Sequence, residues 1–181
     1  MKQTIIAVIC FLCVSSLYIQ AQKINHPSLL YTPQRIQQVK QRMQHEPKLQ
    51  EAWGDIKRTA DEALQKKDFN RLDYLSLAYL MTDNKEYADV IKEILLKTVE
   101  AESWGDVEMM ARIPAWRSQL GMAHKSFLSA VGYDAAYNVM SSSERKKIAE
   151  GLKRLAVEPA LGDWLLEPTR IHSLNSMGHN W

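Results

Sequence analysis

One stretch of the sequence, apolar on nearly every side, constrains the fold more than any other. From Arg71 to Met81 the leucines, tyrosines, alanine and methionine would surround a helix. A helix of that kind must be covered by other elements on all sides. The polar turn Thr82-Asp83-Asn84 comes next, and an amphipathic helical pattern runs from Lys85 to about Ala101. The pair predicts an antiparallel helical hairpin with a buried and a half-exposed member.

A second hairpin is predicted further along the chain. Helical spacing extends from about Arg117 to Val139, and Ser141-Ser142-Ser143-Glu144 forms a capping box that opens a helix to about Ala156. Upstream, Thr32-Pro33 has the pattern of a helix start, and an amphipathic helix is predicted from Lys48 to Lys66. We expect loops at 103–116 and at 160–181, with Glu158-Pro159 ending the last helix. No stretch alternates convincingly as a strand, so the expected class is all-α, built from repeated hairpins.

The N-terminus predicts a cleavable secretory signal peptide over residues 1–21. Lys2 precedes an apolar run from Ile5 to Leu17, which is too short to span a membrane, and Ala21 offers a small residue before the cut. The mature chain, 22–181, would then be periplasmic or secreted. Cys10 and Cys13 both fall in the leader, so we expect no disulfide in the mature chain. The residues before each cysteine are not small, so no membrane anchor is expected.

Charge and spacing argue against several classes of ligand. The net charge is only +2, and acidic and basic residues are interleaved, so nucleic acid is not an expected partner. No set of side chains has the spacing of a metal site, and neither a metal nor another cofactor is predicted.

The final stretch, from Arg170 to Trp181, abandons the helical pattern. Two histidines and two asparagines flank Gly178 there. Such a polar loop beside a helical scaffold is either a binding site or a helix-capping loop. Tryptophans and arginines also have two possible roles each. The tryptophans would either stack on sugars or close the core: Trp104, Trp116 and Trp164. The arginines would either bind substrate carboxylates or form ion pairs within the protein: Arg112, Arg117 and Arg170.

Two further residues favour structural roles. His124 lies mid-helix beside the apolar stripe, which favours a packing or hydrogen-bonding histidine over a cleft residue. Asp134 falls on the apolar side of its helix, where a carboxylate needs partners. The partners expected for Asp134 are Arg117, Arg170 or a helix N-terminus.

Several motifs resemble the N-terminal α/α-toroid of heparinase II/III-like polysaccharide lyases. The resemblance covers most of the mature chain and rests on His26-Pro27-Ser28-Leu29-Leu30, Gly121 to Phe127, Gly132-Tyr133-Asp134-Ala135-Ala136-Tyr137, Ser143-Glu144-Arg145, Gly151-Leu152 and Ser176 to Trp181. It implies an α/α-toroid and, in full-length relatives, a β-sandwich domain downstream. Because two or three hairpins leave buried faces without enough partners, we expect this chain to be an incomplete toroid, the N-terminal part of a longer protein.

The resemblance also implies β-elimination of an acidic, uronic-acid-containing polysaccharide such as a glycosaminoglycan or alginate. In that reaction the substrate carboxylate must be neutralised before a proton beside it can be removed. Carried over to this sequence, the neutralising residues are His179 and Asn180, and the order His-Asn departs from the Asn-His order of some alginate-lyase relatives. Substrate-binding residues are expected at Asn175, Arg170, Trp116 and Trp181. The base tyrosine and a further histidine of the family lie beyond the residues given, so the chain alone is expected to be inactive.

Two alternatives remain open on the sequence. An α/α-barrel glycoside hydrolase needs paired carboxylates at a cleft, and the loop expected at 160–181 offers only Asp163 and Glu167, neither beside an evident carboxylate partner. A non-catalytic glycan-binding helical protein would use tryptophan and arginine without needing His179 and Asn180.

Overall fold

The protein is helical throughout the part that the computed structural model describes, residues 24–113 and 115–166. The α-helices are α1 (Pro33–Met43), α2 (Pro47–Lys66), α3 (Leu72–Thr82), α4 (Lys85–Thr98), α5 (Val107–Met110), α6 (Leu120–Ala136), α7 (Ser142–Leu152) and α8 (Glu158–Trp164). Short 3₁₀ turns cover Phe69–Arg71 and Tyr137–Val139, and a π turn covers Lys153–Val157. Within those two ranges there is no β-strand, and the prediction of an all-α fold is confirmed.

Helix α3 lies at the centre of the packing, as its apolar surround predicts. It contacts α2, α4 and α6, and no residue from Leu72 to Met81 is exposed. Leu72, Leu75 and Ala78 are fully buried. Burying a leucine side chain contributes about 1.5–3 kcal/mol to the free energy of folding. The buried side chains of α3 therefore supply a large part of the hydrophobic stabilisation that holds the surrounding helices together.

The two predicted hairpins are present, and each turn has a chemical reason. Between α3 and α4, Asp83 takes a left-handed conformation (φ 57°), which aspartate tolerates better than most residues. The Asn84 side chain then accepts the backbone N–H of Glu86 and caps α4. Before α7 the predicted capping box forms: the Glu144 amide donates to the Ser141 hydroxyl, and the Ser141 amide donates to the Glu144 carboxylate.

A glycine sets the distance between the second hairpin and the first. A β-carbon at Gly151 on α7 would lie only 2.4 Å from Cβ of Val99, the residue that caps the end of α4. Carbon atoms in contact sit at about 3.5–4.0 Å, so any larger residue would force the helices apart. Gly151 therefore permits the close approach of α7 to the α4 end.

The loop predictions need two corrections. The loop expected at 103–116 contains the one-turn helix α5, which Asp106 caps by accepting the amides of Glu108 and Met109. The segment from Ala160 was expected to be irregular, but α8 continues to Trp164. Pro159 does not end the helix because it lies in the first turn of α8, directly after the wider π turn, where a missing N–H costs little.

Some predictions fall outside the described residues. The signal peptide at 1–21 and the final stretch from Arg170 to Trp181 are among them. Among residues 24–113 and 115–166, no helix is long and apolar enough to cross a membrane.

Candidate functional site

Asp134, near the end of α6, is a buried carboxylate with a full set of donors. Only 3% of the residue is exposed. Its oxygens accept the backbone amides of Ser28 (2.9 Å) and Leu29 (2.8 Å), and Nδ1 of His26 lies 2.6 Å from Oδ1. The Ser28 hydroxyl is a further donor at 3.3 Å. We call residues 26–29 the entry strap, because these bonds fasten them to α6.

The charge state of Asp134 follows from these contacts. Burial acts to raise the pKa of this carboxyl, but the hydrogen bonds from Leu29, His26 and Ser28 outweigh burial and hold the pKa below its usual value. The carboxylate is therefore ionised at neutral pH. Since an ionised carboxylate only accepts, the proton in the His26 contact lies on Nδ1.

Aromatic and polar contacts hold the rest of the strap. The His26 ring stacks on Tyr137 with ring centroids 3.8 Å apart, and the Arg145 guanidinium lies 4.7 Å from the centroid of the same tyrosine. The Asn138 amide donates to the His26 carbonyl at 2.9 Å. An aspartate-oriented histidine resembles half of a catalytic triad, but here the same aspartate binds two backbone amides of the strap. The arrangement is best explained as a structural clasp.

The sequence thus predicted a structural role for Asp134 correctly, but not the partner that the structure shows. A structural role was expected, with Arg117, Arg170 or a helix N-terminus as the partner. The actual donors are the entry strap, whose amides point at the carboxylate from a segment more than 100 positions earlier.

A second buried carboxylate, Asp163, joins α8 to the segment that leads into α6. It is fully buried and accepts the backbone amides of Arg117 and Ser118, both at 2.8 Å, and the Ser118 hydroxyl at 3.0 Å. The Arg117 guanidinium adds two donors through Nε (3.2 Å) and Nη2 (3.0 Å). These partners are donors rather than the second carboxylate that a glycoside hydrolase would need, and Arg117 takes the structural one of its two expected roles.

The pKa of Asp163 is also lowered. Burial acts to raise the pKa, but the amides and side chains of Arg117 and Ser118 outweigh burial. Gly162 leaves room for this contact, since a β-carbon there would lie 2.5 Å from Nη2 of Arg117. Asp163 is therefore a charged anchor rather than a proton donor at neutral pH.

Trp116 is the one predicted substrate-binding residue within the described ranges, and it lies in the core. Only 5% of it is exposed. Its backbone amide donates to the Met109 carbonyl at 3.1 Å and its indole N–H to the Ser118 carbonyl at 3.3 Å. A ring that is covered by its own chain has no free face for a sugar, so Trp116 fits the alternative role of closing the core beneath the loop.

The other predicted site residues lie outside the described residues: His179, Asn180, Asn175, Arg170 and Trp181. Of the remaining side chains weighed on the sequence, Trp104 is buried, Trp164 is partly buried, and Arg112 is exposed. His124 is exposed on α6, so the packing role expected for it is wrong. The apolar stripe of α6 is not fully covered at its start, where Leu120 and Phe127 are also exposed.

The sequence did not reveal a groove rich in lysine, which we call the lysine groove. It has a volume of about 660 Å³ and lies where the ends of α2 and α4 meet the side of α6. Its lining includes four lysines and one glutamate: Lys66, Lys67, Lys97, Lys125 and Glu93. These residues come from three separate helices, so no local pattern in the sequence announces them.

Within residues 24–113 and 115–166, no three histidine, cysteine or acidic side chains are grouped as metal ligands would be. Comparison of the chain with protein-family models, with curated proteins and with solved structures gives no match.

Proposed function

We propose that this chain forms part of an exported polysaccharide lyase that cleaves a uronic-acid-containing polysaccharide by β-elimination. In this proposal the helical hairpins belong to an incomplete α/α-toroid. The final stretch, from Arg170 to Trp181, contributes the edge of the cleft that meets the substrate carboxylate.

The observation that carries the proposal is the contact between two motifs on which the lyase resemblance rests. The strap motif, His26-Pro27-Ser28-Leu29-Leu30, and the helix motif that contains Asp134 are about a hundred positions apart in sequence. They nevertheless meet through the hydrogen bonds of His26, Ser28 and Leu29 to Asp134. Two motifs that coincided by chance would have no reason to form one buried contact, so the contact supports the resemblance as a structural unit.

The Asp163 anchor supports the proposed location of the cleft edge. Asp163 fixes the end of α8 to Arg117 and Ser118 through five hydrogen bonds. The final stretch begins only a few residues later in the sequence. A catalytic loop gains from such a rigid support, because its side chains must be held to within about half an ångström of the productive geometry.

The proposed chemistry assigns neutralisation to His179 and Asn180. The proton beside a charged carboxylate is weakly acidic, because its removal adds negative charge next to an existing one. Hydrogen bonds from His179 and Asn180 to the carboxylate would stabilise the developing dianion. A tyrosine or histidine base then removes the proton, the bond to the glycosidic oxygen at C4 breaks, and a general acid protonates that oxygen.

The test uses the full-length product of the gene and several acidic glycans: heparin, chondroitin and alginate. The expected result is a rise in far-ultraviolet absorbance from the unsaturated uronate with at least one of them. No such rise with any of these glycans would overturn the proposal.

Two variants test the assigned residues. His179→Ala and Asn180→Ala should each lower kcat by about a hundredfold or more, the scale seen when an oxyanion-stabilising donor is removed. Their urea unfolding midpoints should stay unchanged. His45→Ala is the matched control, because His45 is exposed after α1 and should keep full activity. An unchanged rate in both site variants would remove these residues from the mechanism.

The described residues do not favour the glycoside hydrolase alternative. That chemistry needs two carboxyl groups facing one cleft. Asp134 and Asp163, the buried carboxylates in the described part of the chain, are instead engaged with donors of the chain in two different places.

A further inference from the structure

We infer that the lysine groove binds a stretch of acidic glycan. The choice of a glycan as the anion rests on the proposed function, whereas the preference for an anion comes from the groove itself.

The positive charge of the groove exceeds that of its surroundings. Four lysines line it against a single glutamate, while the whole chain has a net charge of only +2. Lys67 is neutralised by Glu93, with Nζ 2.6 Å from one carboxylate oxygen, and Lys66 lies 3.9 Å from Glu62. Among the described residues, Lys97 and Lys125 have no carboxylate within ion-pair distance. Within the part of the chain that the structure describes, the groove therefore offers an anion two ammonium groups that no carboxylate compensates.

Helix ends explain only some of these lysines. Lys66 and Lys67 lie at the end of α2, and Lys97 lies in the last turn of α4, where cations stabilise the helix dipole. Lys125 lies well inside α6, which runs from Leu120 to Ala136, so the dipole gives no reason for it. It is also only half-exposed and points into the same groove. Lys125 is thus the lysine of the groove whose position neither a helix end nor a described ion pair explains.

The shape and lining favour an acidic sugar chain over other anions. A volume of about 660 Å³ falls within the range of roughly 300–1,000 Å³ typical of small-ligand sites, larger than inorganic phosphate requires. Phe69 and Ala101, both partly exposed, provide an apolar surface on which the C–H face of a sugar can rest.

One further feature argues against single-stranded nucleic acid. Trp104 lies at the groove but is only 4% exposed, so it cannot stack on a base as single-strand-binding proteins require. Lysines act as point charges on flexible stems, so those of the groove can follow anionic groups spaced along a sugar chain.

The experiment compares two double variants that remove the same charge. Lys97→Gln/Lys125→Gln alters the groove, and Lys146→Gln/Lys153→Gln removes two exposed lysines of α7 and the π turn after it. Binding of alginate and heparin tetrasaccharides is measured by calorimetry at low salt, with neutral cellotetraose and a short single-stranded DNA as comparison ligands. The methyl resonances of Ile94 report whether the ligand occupies the groove.

The groove variant should bind the acidic tetrasaccharides about tenfold more weakly, as expected when two exposed ion pairs are lost, while the control stays within about twofold. Cellotetraose should not bind, and the Ile94 methyl shifts should vanish in the groove variant. Equal affinities for the two double variants would overturn the inference, as would tighter binding of DNA than of either acidic sugar. No binding of any acidic tetrasaccharide to the unaltered protein would overturn it as well.

The same samples separate this inference from the proposed lyase activity. Binding at the groove without any unsaturated product would keep the groove and reject the lyase. Cleavage at an unchanged KM in the groove variant would keep the lyase and reject the groove.

Discussion

The imidazole of His26 donates from Nδ1 to the carboxylate of Asp134 across 2.6 Å, although the two residues are 108 positions apart. This bond and the amides of Ser28 and Leu29 make one buried carboxylate the fastening point for the first described segment of the chain. The stability of the strap should therefore depend on the charge of a single side chain.

Replacing that charge should destabilise the protein. Asp134→Asn keeps the size of the side chain but removes the negative charge and sets an N–H₂ group against backbone donors. We expect the free energy of unfolding to fall by about 2–4 kcal/mol, the scale for breaking a buried, hydrogen-bonded charge. Urea unfolding measures this. Asp89→Asn, at an exposed site on α4, is the control and should change stability by about 0.5 kcal/mol or less.

Stability should fall in acid because of Asp134 and Asp163. Both have folded-state pKa values below the usual aspartate value, so the unfolded chain binds more protons than the folded one as the pH falls below about 4. Their contribution is fully present above the unfolded pKa and is lost as the pH falls through the lower folded values. Urea unfolding at a series of pH values should show this decline, and the Asp134→Asn/Asp163→Asn variant should show a flatter one. An equally steep decline in that variant would assign the acid sensitivity to other carboxylates.

Substitutions of Asp163 and Arg117 should lower the free energy of unfolding by different amounts. Asp163→Ala removes five hydrogen bonds and leaves the amides of Arg117 and Ser118 unpaired, so we expect a loss of about 3 kcal/mol or more. Arg117→Gln removes only the two guanidinium bonds and should cost about 1–2 kcal/mol. Thermal unfolding of both variants gives the order. A larger loss for Arg117→Gln would show that the guanidinium, rather than the backbone amides, dominates this contact.

Two glycines in helices should respond in opposite directions to the same substitution. Gly151→Ala would bring a methyl group within 2.4 Å of Val99, and we expect a loss of about 1–3 kcal/mol from overpacking. Gly54→Ala on α2 meets nothing within 4 Å and should stabilise the protein by about 0.5–1 kcal/mol through higher helix propensity. Chemical denaturation of the two variants checks the sign of each effect. A neutral Gly151→Ala would mean that α7 can shift away from Val99 at little cost.

Local patterns predicted the helices well, because each depends on residues a few positions apart. One or two turns of sequence are enough to show the capping box at Ser141 and Glu144, and the structure contains it. The same holds for the apolar helix that carries Leu72, Leu75 and Ala78, which are buried as expected. Pro159 misled the prediction of the last helix, since a proline signals a helix end unless a wider turn precedes it.

The contacts between distant segments could not be read in the same way. The apolar surroundings of Asp134 show that a partner is needed, but they contain no information about which segment supplies it. The lysine groove is a similar case, because Lys67, Lys97 and Lys125 come together only when three helices have packed. The sequence therefore predicted that Asp134 needs a partner more reliably than it predicted which one.

The fastening of His26 to Asp134 also has a consequence for synthesis. A ribosome that adds about 5–20 residues per second needs roughly 5–20 seconds to extend the chain from one residue to the other. During that interval the strap has no carboxylate to hold it, and its apolar side chains stay available to other proteins. Leu29 is still 60% exposed after folding is complete. The entry strap is therefore made early but can be secured only after α6 has been synthesised as far as Asp134.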